Sequence, residues 1–224
     1  MNAEIEHGPA IEPVEGFRFA GLAAGIKASG ALDLALLVAD EPCPTAAVFT
    51  RNRVRAAPVL LAERRVRSGR AQAVLVNSGN ANAATGEAGA RAAAQSTRLA
   101  AEVLDIDPEL VLPASTGVIG EPLPLEPFVE HLGTLAAALD AASAGSFAEA
   151  ILTTDRGRKI AEIRIPLPGG AEGRLLAMGK GAGMIHPNMA TTLVFVVTDL
   201  EADAETLSAA LRRATERTFN RISV

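Results

Sequence analysis

A pair of threonines set between a glycine-rich approach and an apolar run constrains this chain more than any other stretch. Gly179-Lys180-Gly181-Ala182-Gly183-Met184-Ile185-His186-Pro187-Asn188-Met189-Ala190-Thr191-Thr192 leads directly into Leu193 to Val197. Glycines admit backbone angles closed to other residues, and Pro187 fixes one φ. A strand that follows, expected to be buried, holds the Thr191 hydroxyl against one carbonyl, that of Ala190. Attack there would cut the chain and leave Thr191 as a new N-terminus. Its freed α-amine, with a reference pKa of about 7.7–8.0, is then a base on the same residue as the nucleophile. The small Ala190 leaves room for a tetrahedral intermediate. A threonine at a strand start is also an ordinary structural choice, so this stretch alone leaves both readings open.

The rest of the chain has the means to build a scaffold for such a site. With 224 residues and 49% hydrophobic content it can bury a sizeable core as one large or two small domains. A net charge of −5 offers no basic stripe for phosphates, so a nucleic-acid partner is not expected. Cys43 is the only cysteine, which leaves no disulfide and no thiolate cluster and fits a reducing, cytoplasmic setting. Glu4, Glu6, Glu12 and Glu15 make the first residues unlike a signal peptide, and no apolar run approaches the ~18 residues of a membrane span.

Strands are expected at Phe17 to Lys27, Asp33 to Ala39 and Ala46 to Arg51. Pro58 to Arg67 reads as helix or extended chain. Ala73 to Val76 is a short strand that gives way to a loop, Asn77-Ser78-Gly79-Asn80-Ala81-Asn82, because asparagine tolerates left-handed geometry. Thr85 caps a helix to about Leu104, with Ala90, Ala93, Ala94 and Ala101 for close packing. A strand at Leu110 to Leu112 is stopped by Pro113, and Ala114 to Gly120 forms a turn. Two helices come next, Leu125 to Ala142 and Ser146 to Leu152. Ile163 and Ile165 alternate with charged residues, Pro168-Gly169-Gly170 turns, and Arg174 to Ala177 pairs back. After the strand Leu193 to Thr198, Asp203 caps a helix with Leu207, Leu211 and Ala214 on one face. Phe219 to Val224 reads as the entrance to a further strand. The order predicts an α/β or α+β layered sandwich.

Several groups are candidates for chemistry. Ser115-Thr116-Gly117 offers adjacent N–H groups and a hydroxyl to an oxyanion, with Gly117 allowing close approach of a substrate; the alternative is a plain strand-to-helix turn. Lys180 can neutralise a substrate carboxylate or be a surface lysine. Thr153-Thr154-Asp155 reads as a substrate contact or as a helix-end turn. Gly173 to Gly181 does not fit a phosphate loop, since Gly181 follows Lys180 where Ser or Thr is required. His7, His131 and His186 show no metal spacing, so no metal is expected.

Four blocks, Val76 to Ala83, Ala114 to Gly120, Ile151 to Asp155 and Lys180 to Thr191, resemble in order the ornithine acetyltransferase family, bifunctional glutamate N-acetyltransferases of arginine biosynthesis. The resemblance implies a layered α-β-β-α sandwich of the self-processing DmpA/ArgJ-like type, incomplete here. It implies a precursor that cuts itself between Ala190 and Thr191, so that 1–190 is the α-chain region and 191–224 the start of a β chain. Carried over by position, Thr191 is the nucleophile, Thr116 and Gly117 form the oxyanion hole, and Thr153, Lys180 and Thr191 bind substrate, with Thr154 an open alternative to Thr153. The implied substrates are N-acetylornithine and glutamate, in some members acetyl-CoA as donor, with no cofactor. Two α and two β chains are implied to associate as a heterotetramer.

Members of that family continue well past position 224, so the sequence is expected to be a truncated precursor, poorly soluble alone because its sheets would expose edges and apolar faces. Two other readings stay open: a related N-terminal-nucleophile amidase or aminopeptidase, and a non-catalytic remnant domain.

Overall fold

A computed structural model of the chain describes residues 11–181 and 192–221. Two sheets and five α-helices make up this part. The first sheet has the order β1-β2-β3-β4, built from β1 (Phe17–Leu22), β2 (Leu34–Pro44), β3 (Arg70–Asn80) and β4 (Val111–Val118). Neighbours run antiparallel except β3 and β4, which are parallel. The second sheet has the order β5-β6-β7, from β5 (Lys159–Pro166), β6 (Glu172–Lys180) and β7 (Leu193–Thr198), all antiparallel.

Alternation along β2 divides the core. Leu34, Leu36 and Val38 join Ala73 and Leu75 of β3 on one face, against helices α2 (Gly86–Leu104) and α3 (Glu126–Ala137). Ala35 and Leu37 point to the other face, where Phe19, Val76, Phe147 and Ile151 meet Leu176, Met178 and Val197 of the second sheet. Helix α4 (Ala144–Ala150) contributes Phe147, whose ring meets Phe19 edge-on at 6.1 Å and Phe195 at 5.3 Å. One aromatic thus ties β1 to β7. Helices, sheet and sheet are the successive layers of the expected sandwich.

The expected hairpin forms as read, with Ile163 opposite Leu175 across a turn through Pro168–Gly170. The extended option for Pro58 to Arg67 is settled as helix α1 (Ala57–Arg65), with Pro58 in its first turn, where a missing N–H costs nothing. Helix α5 (Ala204–Arg217) begins where Asp203 accepts the N–H of Thr206.

Other expectations fail for identifiable reasons. Ala46 to Arg51 is no strand: the Thr50 and Asn52 side chains capture the N–H groups of Asn52 and Val54, a local alternative to a ladder. Pro113 does not end β4, because β4 is an edge strand and can omit a ladder donor. Ala114 to Val118 is accordingly strand rather than turn. Asn77 to Asn80 continue β3, and only Asn82, with φ +46°, adopts the left-handed geometry expected of the asparagines. Thr85 stands at the N-cap of α2, yet its hydroxyl donates to Asn82 Oδ1 instead of capping a backbone N–H. On α2, Ala93 and Ala101 are buried as expected, whereas Ala90 is exposed. The strand β7 is only partly buried, with Val196 47% exposed, because it lies at the sheet edge. Phe219 to Arg221 form a 3-10 turn, not a strand entrance.

Candidate active site

Two parallel strand ends open the site. Asn77 and Ser78 of β3 lie beside Ser115 and Thr116 of β4, and polar side chains lace the two strands together. Ser115 Oγ donates to Asn77 Oδ1 at 2.6 Å, while Asn77 Nδ2 donates to the Asn80 carbonyl at 2.8 Å. Ser78 Oγ donates to the Ala150 carbonyl at the end of α4, and Ser78 N–H to the Asp33 carbonyl. These buried groups are satisfied, which is why so polar a stretch can continue a strand.

Gly117 owes its identity to the backbone. Its φ is +141°, and a Cβ there would stand 2.3 Å from the Gly79 carbonyl carbon. On that side the neighbouring strand β3 leaves no room for a side chain at 117. Gly79 is confined on its other side by Lys27, whose Cγ would lie 3.1 Å from a Cβ at position 79. Lys27 itself is fixed by Asp33: the carboxylate, fully buried, accepts Ala24 N–H and Lys27 N–H, both at 2.7 Å, and Lys27 Nζ donates to the Leu32 carbonyl.

Lys180, the last residue of β6, brings the other candidates together. Its Nζ donates to Thr116 Oγ1 at 2.9 Å and to Thr153 Oγ1 at 2.7 Å, and the residue is only 3% exposed. It is therefore no surface lysine. Thr153 comes after α4 and faces this ammonium; Thr154 is exposed. Two positions beyond Thr153, Asp155 accepts the Gly181 N–H at 2.8 Å and Lys159 Nζ at 2.5 Å. Burial pushes the Lys180 ammonium below its ordinary 10.5, Asp155 opposes this, and Lys159 and Lys27 add to the lowering. Burial also lowers Lys27, against Asp33 and Glu149. For Asp155 burial pulls upward, but Lys159, the Gly181 N–H and Lys180 together hold the carboxyl below its ordinary 3.8. The result is a desolvated, cation-rich corner suited to an anionic group.

Among the sequence candidates, Thr116, Gly117, Thr153 and Lys180 thus converge. Ala190, Thr191, His186 and His7 lie outside the described residues. Leu193, two residues beyond Thr191, is paired with Lys180 across β6 and β7. His131 sits on α3 beside Glu130, remote in sequence from these groups. Among the described residues no group of three or more His, Cys, Asp or Glu side chains could hold a metal ion, and no helix is long and apolar enough to cross a membrane. Sequence reasoning missed Asp155 as a distinct element and missed Lys27 and Asp33 altogether. A Lys and an Asp six residues apart in a glycine-bearing loop were the available signal.

The model of the ArgJ family matches residues 18–224. The chain belongs to the ArgJ family. It is 53% identical over 211 residues to the arginine biosynthesis bifunctional protein ArgJ of Symbiobacterium thermophilum, covering 93% of this chain and 52% of that protein. The corresponding protein of Geobacter sulfurreducens is 48% identical over 211 residues, with 94% and 53% covered. The chain therefore spans about half the length of these curated ArgJ relatives. Among solved structures, ArgJ from Bacillus halodurans superposes with a TM-score of 0.73 at 37% identity, covering 78% of this chain and 91% of that one. Ornithine acetyltransferase from Mycobacterium tuberculosis, complexed with ornithine, gives 0.67 at 37% identity, with 78% and 92% covered. The layered α/β fold is thus that of ArgJ structures.

Proposed function

We propose that this chain is the α region and the beginning of the β region of an acetyltransferase that moves an acetyl group from N-acetylornithine to glutamate. The observation that carries the reading is Lys180, which joins Thr116 and Thr153 while its own strand pairs with Leu193, two residues from Thr191. In this reading the peptide bond between Ala190 and Thr191 is cut, dividing 1–190 from a β chain that starts with 191–224. The coverage of the relatives supports such a division: the solved chains are matched almost end to end, the curated proteins over only about half.

The chemistry is that of an N-terminal threonine. Thr191 Oγ attacks the acetyl carbonyl of N-acetylornithine and its proton passes to the α-amine of the same residue. N–H groups at Thr116 and Gly117 meet the oxyanion. The C–N bond breaks, the leaving amine takes the proton, and ornithine departs. The amine of glutamate then attacks the acetyl-threonine ester, its proton returns through the α-amine, and N-acetylglutamate leaves. Lys180 and Thr153 hold the substrate, with the ammonium set against its carboxylate. Acetyl-CoA is a second donor for the same ester. The α and β chains stay together, two of each, in the cytoplasm.

The test uses the complete gene product. Intact-mass analysis is expected to show two fragments separated before Thr191, with donor label on the fragment that begins there. Thr191→Ala is expected to leave one chain without transfer. Normal transfer by that variant, or an uncut and unlabelled wild type, would refute the proposal.

A further inference from the structure

We infer that Asp155 is the positioning residue of this corner: anchored on the Gly181 N–H, it supplies the counter-charge that keeps the Lys180 ammonium between Thr116 and Thr153. The inference rests on the proposed role of Lys180 as the substrate-holding cation, and it adds to that role a residue that touches no reacting atom.

The geometry is specific. The Asp155 side chain is only 4% exposed. Its Oδ1 takes both the Gly181 N–H and Lys159 Nζ, and a Cβ at Gly181 would already stand 3.2 Å from that oxygen. Its Oδ2 is buried and has no hydrogen-bond partner among the described residues. Fastening the chain to Gly181 needs one acceptor, which an asparagine provides as well. A buried carboxylate with one oxygen unmet is costly unless cations surround it. Here they do. Lys159 on β5 and Lys180 on β6 act on it, while Lys27, in the loop between β1 and β2, acts on Lys180 and has its own counter-charges in Asp33 and Glu149. On Lys180, burial, Lys159 and Lys27 all work against the charge; among the described residues Asp155 is the group that works for it. Thr116 and Thr153, which receive its N–H donors, are neutral and offer the ammonium no counter-charge.

Two substitutions are expected to move Lys180 in opposite directions. In the complete protein, carbon-labelled lysine observed by NMR gives the Lys180 titration, with Lys180→Arg identifying the resonance. Asp155→Asn keeps the acceptor for Gly181 and removes the charge, so Lys180 is expected to titrate at lower pH than in the wild type. Asp155→Glu is expected to restore part of the shift. Lys159→Met, at a side chain 52% exposed, removes a repelling charge and is expected to move Lys180 to higher pH; it keeps the test decisive should Asp155→Asn fail to fold. Coincident titrations, or shifts of the same sign, would overturn the inference. In the complete protein the alkaline loss of acetyl transfer is expected to begin at lower pH for Asp155→Asn. An unmoved profile beside a moved titration would confine Asp155 to the fold and also overturn it. Failure of the complete protein to cut itself or transfer acetyl would sink the proposed function, while the titrations would still decide whether Asp155 supplies the counter-charge.

Discussion

The two sheets of this molecule are finished to different degrees. The first is buried on both faces: Leu34 to Val38 of β2 are all inaccessible, with helices on one side and α4 plus the second sheet on the other. The second buries Leu176, Met178 and Val197 inward, yet leaves Ile163, Val194 and Val196 open to solvent, and α5 buries no residue at all. Among the described residues the second sheet is thus covered mainly on one side, and the amphipathic α5 is at most half-buried. The first sheet is the more deeply buried of the two, and the candidate corner is shared between them, with Thr116 and Gly117 on β4 of the first and Lys180 on β6 of the second.

That contrast can be broken experimentally, most forcefully at the junction. Phe147→Ala removes a fully buried ring that touches both Phe19 and Phe195; a loss of about 3–5 kcal/mol is expected in denaturant unfolding. A loss under about 1 kcal/mol would mean that the sheets are not joined there. Gly117→Ala is next, since a methyl cannot fit against Gly79 and φ is positive. Roughly 2–3 kcal/mol is expected to disappear from the same curve. Lys180→Met is expected to cost transfer activity while leaving stability equal or raised by up to about 1 kcal/mol, because it removes a desolvated charge. A large destabilisation would mark Lys180 as structural. The smallest effect is expected at Leu211→Asp on α5, within about 0.5 kcal/mol in this chain. A large loss there would show that the helix is already packed.

Acid and base should act oppositely on two groups of the corner beside the second sheet. Asp155 is held below its ordinary 3.8, so its contribution to stability is complete above that value and fades as the pH falls through the lower folded-state value. Lys180 behaves oppositely to a paired lysine. Its folded value lies below 10.5, so protonation opposes folding, and that penalty lifts as the pH rises from the folded value toward 10.5. Melting temperatures across both windows, compared with Asp155→Asn and Lys180→Met, check each sign.

Periodicity revealed most of the scaffold. The hairpin around Pro168–Gly170, the helix after Asp203 and the strand after Thr192 are all legible in local pattern. The errors cluster where tertiary context overrides it. Asn77 to Asn80 looked like a loop because their side chains favour turns, but Ser115, Asp33 and Ala150 give the buried polar atoms of Asn77 and Ser78 partners that no local reading supplies. Pro113 looked like a stop because nothing in the sequence says that β4 is an edge. Lys180 and Thr153 were both visible as candidates, yet their contact spans the whole second hairpin, and neither spacing nor composition encodes it. Gly117 was visible as a candidate, but the constraint that Gly79 places on it comes from the pairing of β3 with β4 and has no local signal.

The ladder between β6 and β7 has a mechanical consequence. Leu193 to Thr198 are bonded in register to Lys180 through Leu175, and Thr198 Oγ1 adds a bond to the Arg174 carbonyl. A scission upstream of Leu193 would therefore release almost nothing: the severed piece stays zipped to its neighbour, and Leu193 is kept opposite Lys180 by cross-strand bonds rather than by the tether that was lost.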